Sequence, residues 1–280
     1  MGLSSSPAEL SFPTISLFEF YIYPCHSQSM KIWALADLHL AHSVPSKNMA
    51  VFGPVWEGYM DKMAASWKEL VKPDDLVLLP GDITWAMKLE EAKIDLQWID
   101  SLPGTKVMIR GNHDYWWGSA KKMSEIFPPS VHFIHNTAFH WNDIAIGGTR
   151  LWDTPEYNFN GYVHFQENPK ARTEEAYDPD QKKDKDAAIF ERELERLKLS
   201  LKQMNPSARL KIAMTHYPPI SADLKPSRTS AILEEFGVQI CVFGHLHNLK
   251  KDKPMFGEVG GVKYLLTAAD YLDFRPLRIL

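Results

Sequence analysis

Five short stretches of the chain carry side chains that bind metal cations, and each follows an apolar run. They are ADLH with Asp37 and His39, PGD with Asp82, GNHD with Asn112, His113 and Asp114, THYPP with His216, and GHLH with His245 and His247. Loops at the carboxyl ends of strands in an α/β sheet converge on one crevice, so distant residues can form one site. In an extended turn, a residue and its second neighbour project to the same side. The Asp-x-His and His-x-His pairs are therefore expected to supply two neighbouring ligands each.

The ligand types indicate which cation would bind. Two aspartates, one asparagine and three or four histidines fit Mn, Fe, Zn or Co, because these metals accept both oxygen and imidazole. Mg and Ca fit less well, since they prefer shells of oxygen alone. Each stretch by itself is a weak signal, because a single histidine is more often structural and a lone Gly-Asp is usually a turn. All five in this order, each after an apolar run, argue against coincidence.

The composition restricts the class of protein. The chain has 280 residues, 45% of them hydrophobic, so it can bury a sizeable core, and one large α/β domain is expected. A net charge of −4, from 31 basic and 35 acidic residues, gives no broad basic field for nucleic acid, which is therefore a disfavoured partner. No apolar run reaches the ~18 residues of a membrane-spanning helix. Cys25 and Cys241 are both expected to be reduced, which indicates a cytoplasmic location.

Short apolar runs predict the buried strands that would position these stretches. They cover residues 31–36, 75–79, 106–110, 144–148, 210–215, 239–244 and 263–268. Apolar residues at spacings of three and four predict helices over 56–70 and 190–204, and weaker patterns predict helices over 88–102, 119–127 and 227–236. This alternation of strand and helix indicates an α/β sandwich with mixed sheets.

Two segments fall outside the alternation. Residues 1–29 are expected to be a poorly ordered N-terminal extension, and the folded domain is expected over residues 30–280. Residues 152–186 are polar, aromatic and charged without a sustained period, which predicts a long loop. Loops on a rigid α/β scaffold commonly select the substrate, so residues 152–166 are expected to form the pocket rim.

The order of the five stretches resembles the pattern of the calcineurin-like metallophosphoesterase superfamily. That pattern is Asp-x-His, Gly-Asp, Gly-Asn-His-Asp/Glu, His and Gly-His-x-His, and every part of it is present. The match runs from Asp37 to His247, about three quarters of the chain. The resemblance implies a four-layer α-β-β-α sandwich of two mixed sheets flanked by helices, with the site at one edge. It also implies an enzyme that hydrolyses phosphomonoesters or phosphodiesters with two divalent metal ions.

By this resemblance, the ligand residues form two groups that share Asp82 as a bridge. One group is Asp37, His39 and His247, and the other is Asn112, His216 and His245. The candidate ions are Mn, Fe, Zn, Ni and Co. Two cations about 3.5–4 Å apart lower the pKa of a bridging water, so that hydroxide can attack phosphorus with no covalent enzyme intermediate.

The resemblance also gives roles to the residues of the GNHD stretch. His113 would protonate the leaving oxygen, or stabilise the transition state as a cation. Asn112 would bind a metal through a neutral carbonyl oxygen, which leaves His113 free to face the substrate. Asp114 would accept a hydrogen bond from the far ring nitrogen of His113, fix its orientation and favour its imidazolium form.

Three further residues are candidates for contact with the substrate. Arg150 could bind a phosphate through two hydrogen bonds, or form a surface ion pair. Tyr115 and Trp116, with Trp117 beside them, could stack on a nucleobase, or anchor a loop by burying their rings.

The expected substrate is a small phosphoester. The stretch GDITWA lacks the arginine of the Gly-Asp-x-Val-Asp-Arg-Gly segment of protein serine/threonine phosphatases, which also read Gly-Asn-His-Glu in place of GNHD. The sequence is closer to bacterial-type phosphoesterases that cut small phosphodiesters, nucleotides or phosphomonoesters. Two alternatives stay open. One is a catalytically silent scaffold that binds a protein partner, although such relatives typically lose ligands; the other is a nuclease, although the chain has no basic stripe.

Overall fold

Two β-sheets lie face to face, with helices on the outer face of each. The computed structural model describes Met1, residues 30–164 and residues 179–280. The strands are β1 (Ile32–Ala34), β2 (Leu76–Leu79), β3 (Thr105–Met108), β4 (Val131–Phe133), β5 (Phe139–Trp141), β6 (Ile144–Thr149), β7 (Leu210–Thr215), β8 (Ile240–Phe243), β9 (Glu258–Val259), β10 (Val262–Leu266) and β11 (Leu277–Arg278). The α-helices are α1 (Tyr59–Leu70), α2 (Leu89–Asp100), α3 (Ala120–Ser124), α4 (Pro179–Lys202) and α5 (Arg228–Glu235). Short 3₁₀ turns precede α1 at Pro45–Lys47, Met49–Phe52 and Pro54–Trp56.

Parallel strands form the centre of both sheets. The first sheet has the order β11-β1-β2-β3-β4, and the second has the order β5-β6-β7-β8-β10-β9. In the first sheet only β11 runs antiparallel to its neighbour, and in the second only β5 and β9 do so. Both sheets are therefore mixed, as predicted. Because neighbouring parallel strands end at the same edge, the segments that follow them collect there.

The strands bury both of their faces, which explains their continuous apolar sequences. The layer between the sheets includes Ile32, Leu76, Val107, Ile146, Ile212 and Val242. The alternate residues of the first sheet pack against α1, α2 and α3, as Trp33, Val77 and Leu79 do. Those of the second sheet pack against α4 and α5, as Ala213, Cys241 and Phe243 do. The four-layer α-β-β-α sandwich is confirmed.

Each predicted strand and helix has a counterpart, but the long loop is shorter than predicted. The prediction extends the loop to residue 186, whereas α4 begins at Pro179. Proline suits the first turn of a helix, and the residues that follow are mainly charged and polar. They carry no apolar stripe, so periodicity could not reveal this part of the helix. The predicted extension over residues 1–29, including Cys25, and residues 165–178 of the long segment lie outside the described residues.

Two further expectations can be compared with the fold. Cys241 is a buried free thiol within β8, as predicted, and burial raises its pKa to about 12. Such a thiol is unreactive towards oxidation because it holds its proton and has no access to solvent. No helix in residues 30–164 or 179–280 has the length and apolarity needed to cross a membrane.

Trp67 of α1 provides a test of the packing on the first sheet. Its ring is fully buried, and its indole N–H donates to the carbonyl of Pro103 at 2.9 Å. Trp67→Ala is expected to lower the free energy of unfolding by about 3–5 kcal/mol, because it leaves a large cavity. The control is Leu199→Ala on α4, since Leu199 is 50% exposed, and a change of about 0.5 kcal/mol or less is expected there. Urea denaturation measures both, and similar losses for the two variants would contradict this packing.

Candidate functional site

Seven predicted ligand residues lie at the edge of the sandwich where strands of both sheets end. Asp37 and His39 follow β1, Asp82 follows β2, Asn112 follows β3, His216 follows β7, and His245 and His247 follow β8. The two sheets are joined at this edge, because the backbone N–H of Ala36 donates to the carbonyl of Thr267 at 2.7 Å. Ala36 also pairs with Ala268 in an isolated parallel bridge. This junction brings donors from both halves of the chain together.

The first group of donors is Asp37, His39 and His247, whose ligand atoms all lie within 4.8 Å of one another. The Nε2 atoms of His39 and His247 face each other at 3.3 Å. The Nε2 atom of His247 also lies 3.7 Å from a carboxylate oxygen of Asp37. With the proton of each neutral ring on Nδ1, the lone pairs of both Nε2 atoms are directed into the space between the rings. This arrangement suits a cation.

The second group is built around the side chain of Asn112. Its Oδ1 atom lies 2.6 Å from Nε2 of His216 and 3.1 Å from Nδ1 of His245. A carboxylate oxygen of Asp82 lies 3.4 Å from Nε2 of His216 and 3.7 Å from Nε2 of His39. Asp82 is therefore within reach of both groups. These distances agree with the position that the resemblance gives it, and the bridging role stays a prediction.

Burial gives these residues unusual proton affinities. Asp37, His39, Asp82 and His216 are each at most 2% exposed. Burial raises the pKa of Asp37 to about 7, because its charged form loses hydration. Burial lowers the pKa of His39 well below its usual value, which keeps the imidazole neutral with a free lone pair. A divalent cation would stabilise the carboxylate and accept that lone pair, so the residues fit the expected metal ions.

The backbone at the ligand positions is left-handed. Asp37, His39, Asp82 and His245 have φ angles of 58°, 43°, 53° and 71°. Residues other than glycine rarely adopt such angles, because Cβ crowds the backbone, and they concentrate at functional sites. The turn after β1 is therefore not extended, and that part of the sequence reasoning was wrong. The turn is held instead by the N–H groups of Asp37 and His39, which donate to the carbonyls of Gly81 and Asp82 at 3.0 Å each.

Glycines in the motifs give the two carboxylates room. A Cβ atom at Gly111 would overlap the carboxylate of Asp82, and one at Gly244 would overlap the carboxylate of Asp37. The loop after β3 can therefore lie directly on Asp82, whose carboxylate accepts the backbone N–H of His113 at 2.8 Å. The glycine of Gly-Asn-His and that of Gly-His-x-His are thus required by contacts with other loops.

A family model described as calcineurin-like phosphoesterase matches residues 30–249, which is most of the described chain. The chain belongs to this family. Membership confirms the resemblance carried by the motifs, and it supports the prediction of a metal-dependent hydrolase. All five stretches lie within the matched residues.

Individual relatives of this family member are distant. The gene 66 protein of Mycobacterium phage D29 is 32% identical over 84 residues, so the match spans 30% of this chain and 40% of the phage protein. The structure of phosphopantetheinyl hydrolase (PptH) from Mycobacterium tuberculosis is 16% identical, with a TM-score of 0.52 over 89% of this chain and 95% of that one. AQ665 from Aquifex aeolicus, a protein of unknown function, is 15% identical, with a TM-score of 0.44 over the same 89% and 95%. The likeness to PptH shows a shared fold.

Asp270 contacts the candidate site and was missed from the sequence. It is buried and follows β10, and its carboxylate lies 2.8 Å from Nδ1 of His247. The same carboxylate accepts the backbone N–H of Asn248 at 3.0 Å. A carboxylate on the far nitrogen of a ligand histidine fixes the ring and increases its basicity. The signal was present, because Asp270 comes just after the predicted strand over 263–268, as other site residues follow theirs.

Asp114 does not orient His113, contrary to the prediction. Its carboxylate accepts the backbone N–H groups of Gly111 at 2.7 Å and Ile83 at 2.9 Å, and the indole N–H of Trp116 at 3.0 Å. The buried Nδ1 atom of His113 has no hydrogen-bond partner among the described residues. Asp114 instead joins the loops after β2 and β3, because its carboxylate accepts backbone N–H groups from both loops. Burial raises its pKa to about 6.

His113 lies between aromatic rings at one side of the ligands. Its ring centroid is 4.7 Å from that of Trp85 and 5.7 Å from that of His39. Burial lowers the pKa of His113, so Asp114 does not favour its imidazolium form as predicted. The ring faces a cavity of about 270 Å³. The other residues of this cavity wall are His39, Met49, Phe52, Trp56, Trp85, His247 and Asn248.

The three aromatic residues after Asp114 have different positions. Trp116 is 3% exposed and Trp117 is 9% exposed, so both anchor the loop within the core. The prediction of Trp116 as a substrate contact was therefore wrong, because its ring is enclosed and its N–H is used by Asp114. Tyr115 is 54% exposed, and its ring centroid lies 6.2 Å from that of His113, where it can contact a ligand.

Arg150 lies in a charged cluster apart from the metal ligands. Its guanidinium is 3.5 Å from the carboxylate of Glu193 and 4.4 Å from the ring centre of Trp152. The side chain is only 12% exposed. The ion pair considered from the sequence therefore exists, but it is buried rather than on the surface.

A second cavity adjoins the ligands beside His245 and has a volume of about 330 Å³. Its wall includes Trp152, Tyr157 and Phe159 from the predicted rim, together with Tyr217. The Tyr217 ring lies 3.9 Å from that of His245. The described part of the rim thus reaches the neighbourhood of the ligands.

Asp270 allows a test of the metal centre that does not depend on catalysis. Asp270→Ala is expected to weaken binding of one metal ion by about 10–100-fold, because His247 loses the carboxylate that holds its ring. The matched control is Asp273→Ala, since the side chain of Asp273 is 73% exposed and pairs with Lys251. Calorimetric titration of chelator-treated protein with Mn or Zn measures both affinities. Equal affinities in the two variants would contradict the role of Asp270.

Proposed function

We propose that this protein is a metal-dependent phosphoesterase that uses two divalent cations to hydrolyse a small phosphomonoester or phosphodiester. The observation that carries the proposal is the convergence of seven donors from five strand ends at one edge of the sandwich, where Asp37, His39, Asp82 and His216 are buried. Two buried carboxylates are costly to hold in their charged forms without positive charge beside them, and divalent cations would supply that charge.

The donor positions support a division into two metal sites. Asp37, His39 and His247 would hold one ion, and Asn112, His216 and His245 would hold the other, with Asp82 shared. The mixture of oxygen and imidazole ligands favours Mn, Fe, Zn, Co or Ni. When bound, such ions supply positive charge to phosphoryl oxygens and lower the pKa of water.

His113 is the proposed catalytic side chain. Its neighbours hold the ring at the wall of the cavity of about 270 Å³, beside the donor atoms of His39. From this position its ring nitrogen can give a proton to the leaving oxygen of a bound ester, or stabilise the negative charge that develops there. Either role needs no covalent bond between the enzyme and phosphorus.

The two cavities support a small-molecule substrate. Their volumes of about 270 Å³ and 330 Å³ are those of small-ligand sites, and both adjoin proposed metal ligands. The cavity beside His113 is lined mainly by Met49, Phe52, Trp56 and Trp85, so it favours an apolar leaving group. The cavity beside His245 is formed partly by Trp152, Tyr157 and Phe159, and this supports a role for the rim segment in substrate choice.

The metal content tests the proposed function directly. Elemental analysis after Mn addition is expected to find two ions per chain, and Asp82→Asn is expected to reduce the binding of both. Asp143→Asn is the control, because Asp143 is 54% exposed and pairs with Arg209 at the surface. The protein should also hydrolyse nitrophenyl phosphate or bis-nitrophenyl phosphate with at least one of Mn, Zn, Fe and Ni. Zero or one ion per chain, or no hydrolysis with any metal, would refute the proposal.

The leaving group tests the role of His113. His113→Ala is expected to leave the metal content unchanged and to lower turnover by about 10²–10⁴-fold on an ester with a poor leaving group. The loss should be smaller on nitrophenyl phosphate, whose leaving oxygen hardly needs a proton. His140→Ala, at an exposed histidine, provides the control. An equal loss on both esters would exclude proton donation and favour charge stabilisation.

A further inference from the structure

A third cavity is lined by charged side chains and is separate from the proposed metal ligands. It lies where the ends of β3 and β6 meet α4. Its volume is about 100 Å³. The wall carries the side chains of Arg110, Arg150, Arg196 and Glu193, and none of the seven proposed ligands is among its described residues. The function proposed above does not use this cluster.

Positive charge is in excess in this cavity. Among the described residues of the wall, Glu193 is the one acidic side chain, and it is 1% exposed. Its carboxylate accepts the hydroxyl of Thr149 at 2.7 Å and the guanidinium of Arg196 at 2.7 Å, and it lies 3.5 Å from Arg150. Arg150 and Arg196 thus share this one carboxylate, which Arg192 also approaches at 3.9 Å, and Arg110 has no ion pair in the described part of the chain.

The arginines also have unused hydrogen-bond donors. The Nε atoms of Arg110 and Arg150 are buried and have no partner among the described residues. Both side chains line the same cavity of about 100 Å³, so two guanidinium groups share one small space. Buried donors without acceptors are rare in folded proteins, and each one requires an explanation.

We propose that this cavity binds one compact oxyanion: phosphate, sulfate or a carboxylate group. An oxyanion would neutralise the excess positive charge and accept hydrogen bonds from the unpaired guanidinium nitrogens. The planar fork of arginine matches pairs of oxygen atoms on such groups. A cavity of about 100 Å³ has room for several water molecules, and therefore for a tetrahedral anion in their place.

The backbone joins this oxyanion site to the metal centre. Arg110 precedes the proposed ligand Asn112 by two positions in the sequence. The carbonyl of Arg150 accepts the N–H groups of His216 at 3.2 Å and Tyr217 at 2.9 Å. A bound anion would therefore steady two segments that carry ligands. The oxyanion can be a free inorganic ion or a second anionic group on the substrate.

Selenate provides a direct test of position. A crystal of the full chain soaked in selenate is expected to show an anomalous peak in the cavity, within hydrogen-bond distance of Arg110 and Arg150. A cavity filled by water alone, with selenate only at the metal centre, would overturn the proposal. This experiment does not depend on catalysis, so it remains decisive even if the proposed phosphoesterase activity is absent.

Sulfate titration provides the matching test in solution. Arg110→Gln is expected to weaken sulfate binding by about tenfold or more, because a charge-assisted contact is lost. Glu193→Gln is expected to tighten binding, since it removes the competing charge while the amide can still accept from Thr149. A merely structural cluster would not gain affinity in this way. Arg209→Gln, at a surface arginine paired with Asp143, should change nothing.

Unchanged sulfate affinity in both Arg110→Gln and Glu193→Gln would overturn the proposal. If Arg110→Gln fails to fold, Arg196→Gln replaces it, because Arg196 is 38% exposed on α4 and its loss spares the core. Arg196→Gln is then expected to weaken sulfate binding by several-fold, and unchanged affinity would count against the site in the same way.

The source of the oxyanion is decided by kinetics with two substrates. If the second anionic group of a substrate binds here, Arg110→Gln should raise KM several-fold for a nucleoside 3′,5′-bisphosphate and leave KM for nitrophenyl phosphate unchanged. If a free ion binds here, the two KM values should shift alike, and sulfate should raise the Tm of the native protein more than that of the variant. Both results support the same oxyanion site.

Discussion

The burial of two carboxylates next to several imidazoles is the constraint on which this structure depends. Asp37 and Asp82 are almost completely removed from water, and charged groups in such surroundings need fixed partners. Backbone N–H groups supply part of this compensation, as His113 does for Asp82 and His245 does for Asp37. The rest requires positive charge nearby, on the neighbouring imidazoles or on a bound cation. The convergence of strand ends from two sheets is what allows so many donors to meet at one edge.

The same constraint determines the local backbone and the choice of glycine. The carboxylates can receive N–H donors only if neighbouring loops approach closely, and side chains at Gly111 and Gly244 would prevent this. Two other buried aspartates show how surroundings set a role. Asp270 contacts the ring of a ligand histidine, whereas Asp114 contacts backbone donors of two loops. Both side chains are carboxylates, and their neighbours give them different roles. Asp270 positions the ring of His247, whereas Asp114 holds two loops together.

The sequence predicted the layers and the donor positions well, because both follow from short stretches of neighbouring residues. Burial of both faces gives the central strands their apolar runs, and polar residues directly after them mark the edge where the donors meet. The partner of Asp114 was mistaken because the loops after β2 and β3 meet only in the folded protein. The left-handed angle at Asp37 was missed because residue spacing does not record the sign of φ. The beginning of α4 at Pro179 was missed because its first turns carry no apolar stripe.

The hydrogen bond from the N–H of His245 to the Asp37 carboxylate joins residues 208 positions apart. A ribosome that adds about 5–20 residues per second would release Asp37 roughly 10–40 s before His245. For that interval the Asp37 carboxylate lacks the N–H donor of His245. Completion of β8 ends this period. The order of synthesis thus makes the pairing of this buried carboxylate with His245 a late event, which must wait for a strand of the second sheet.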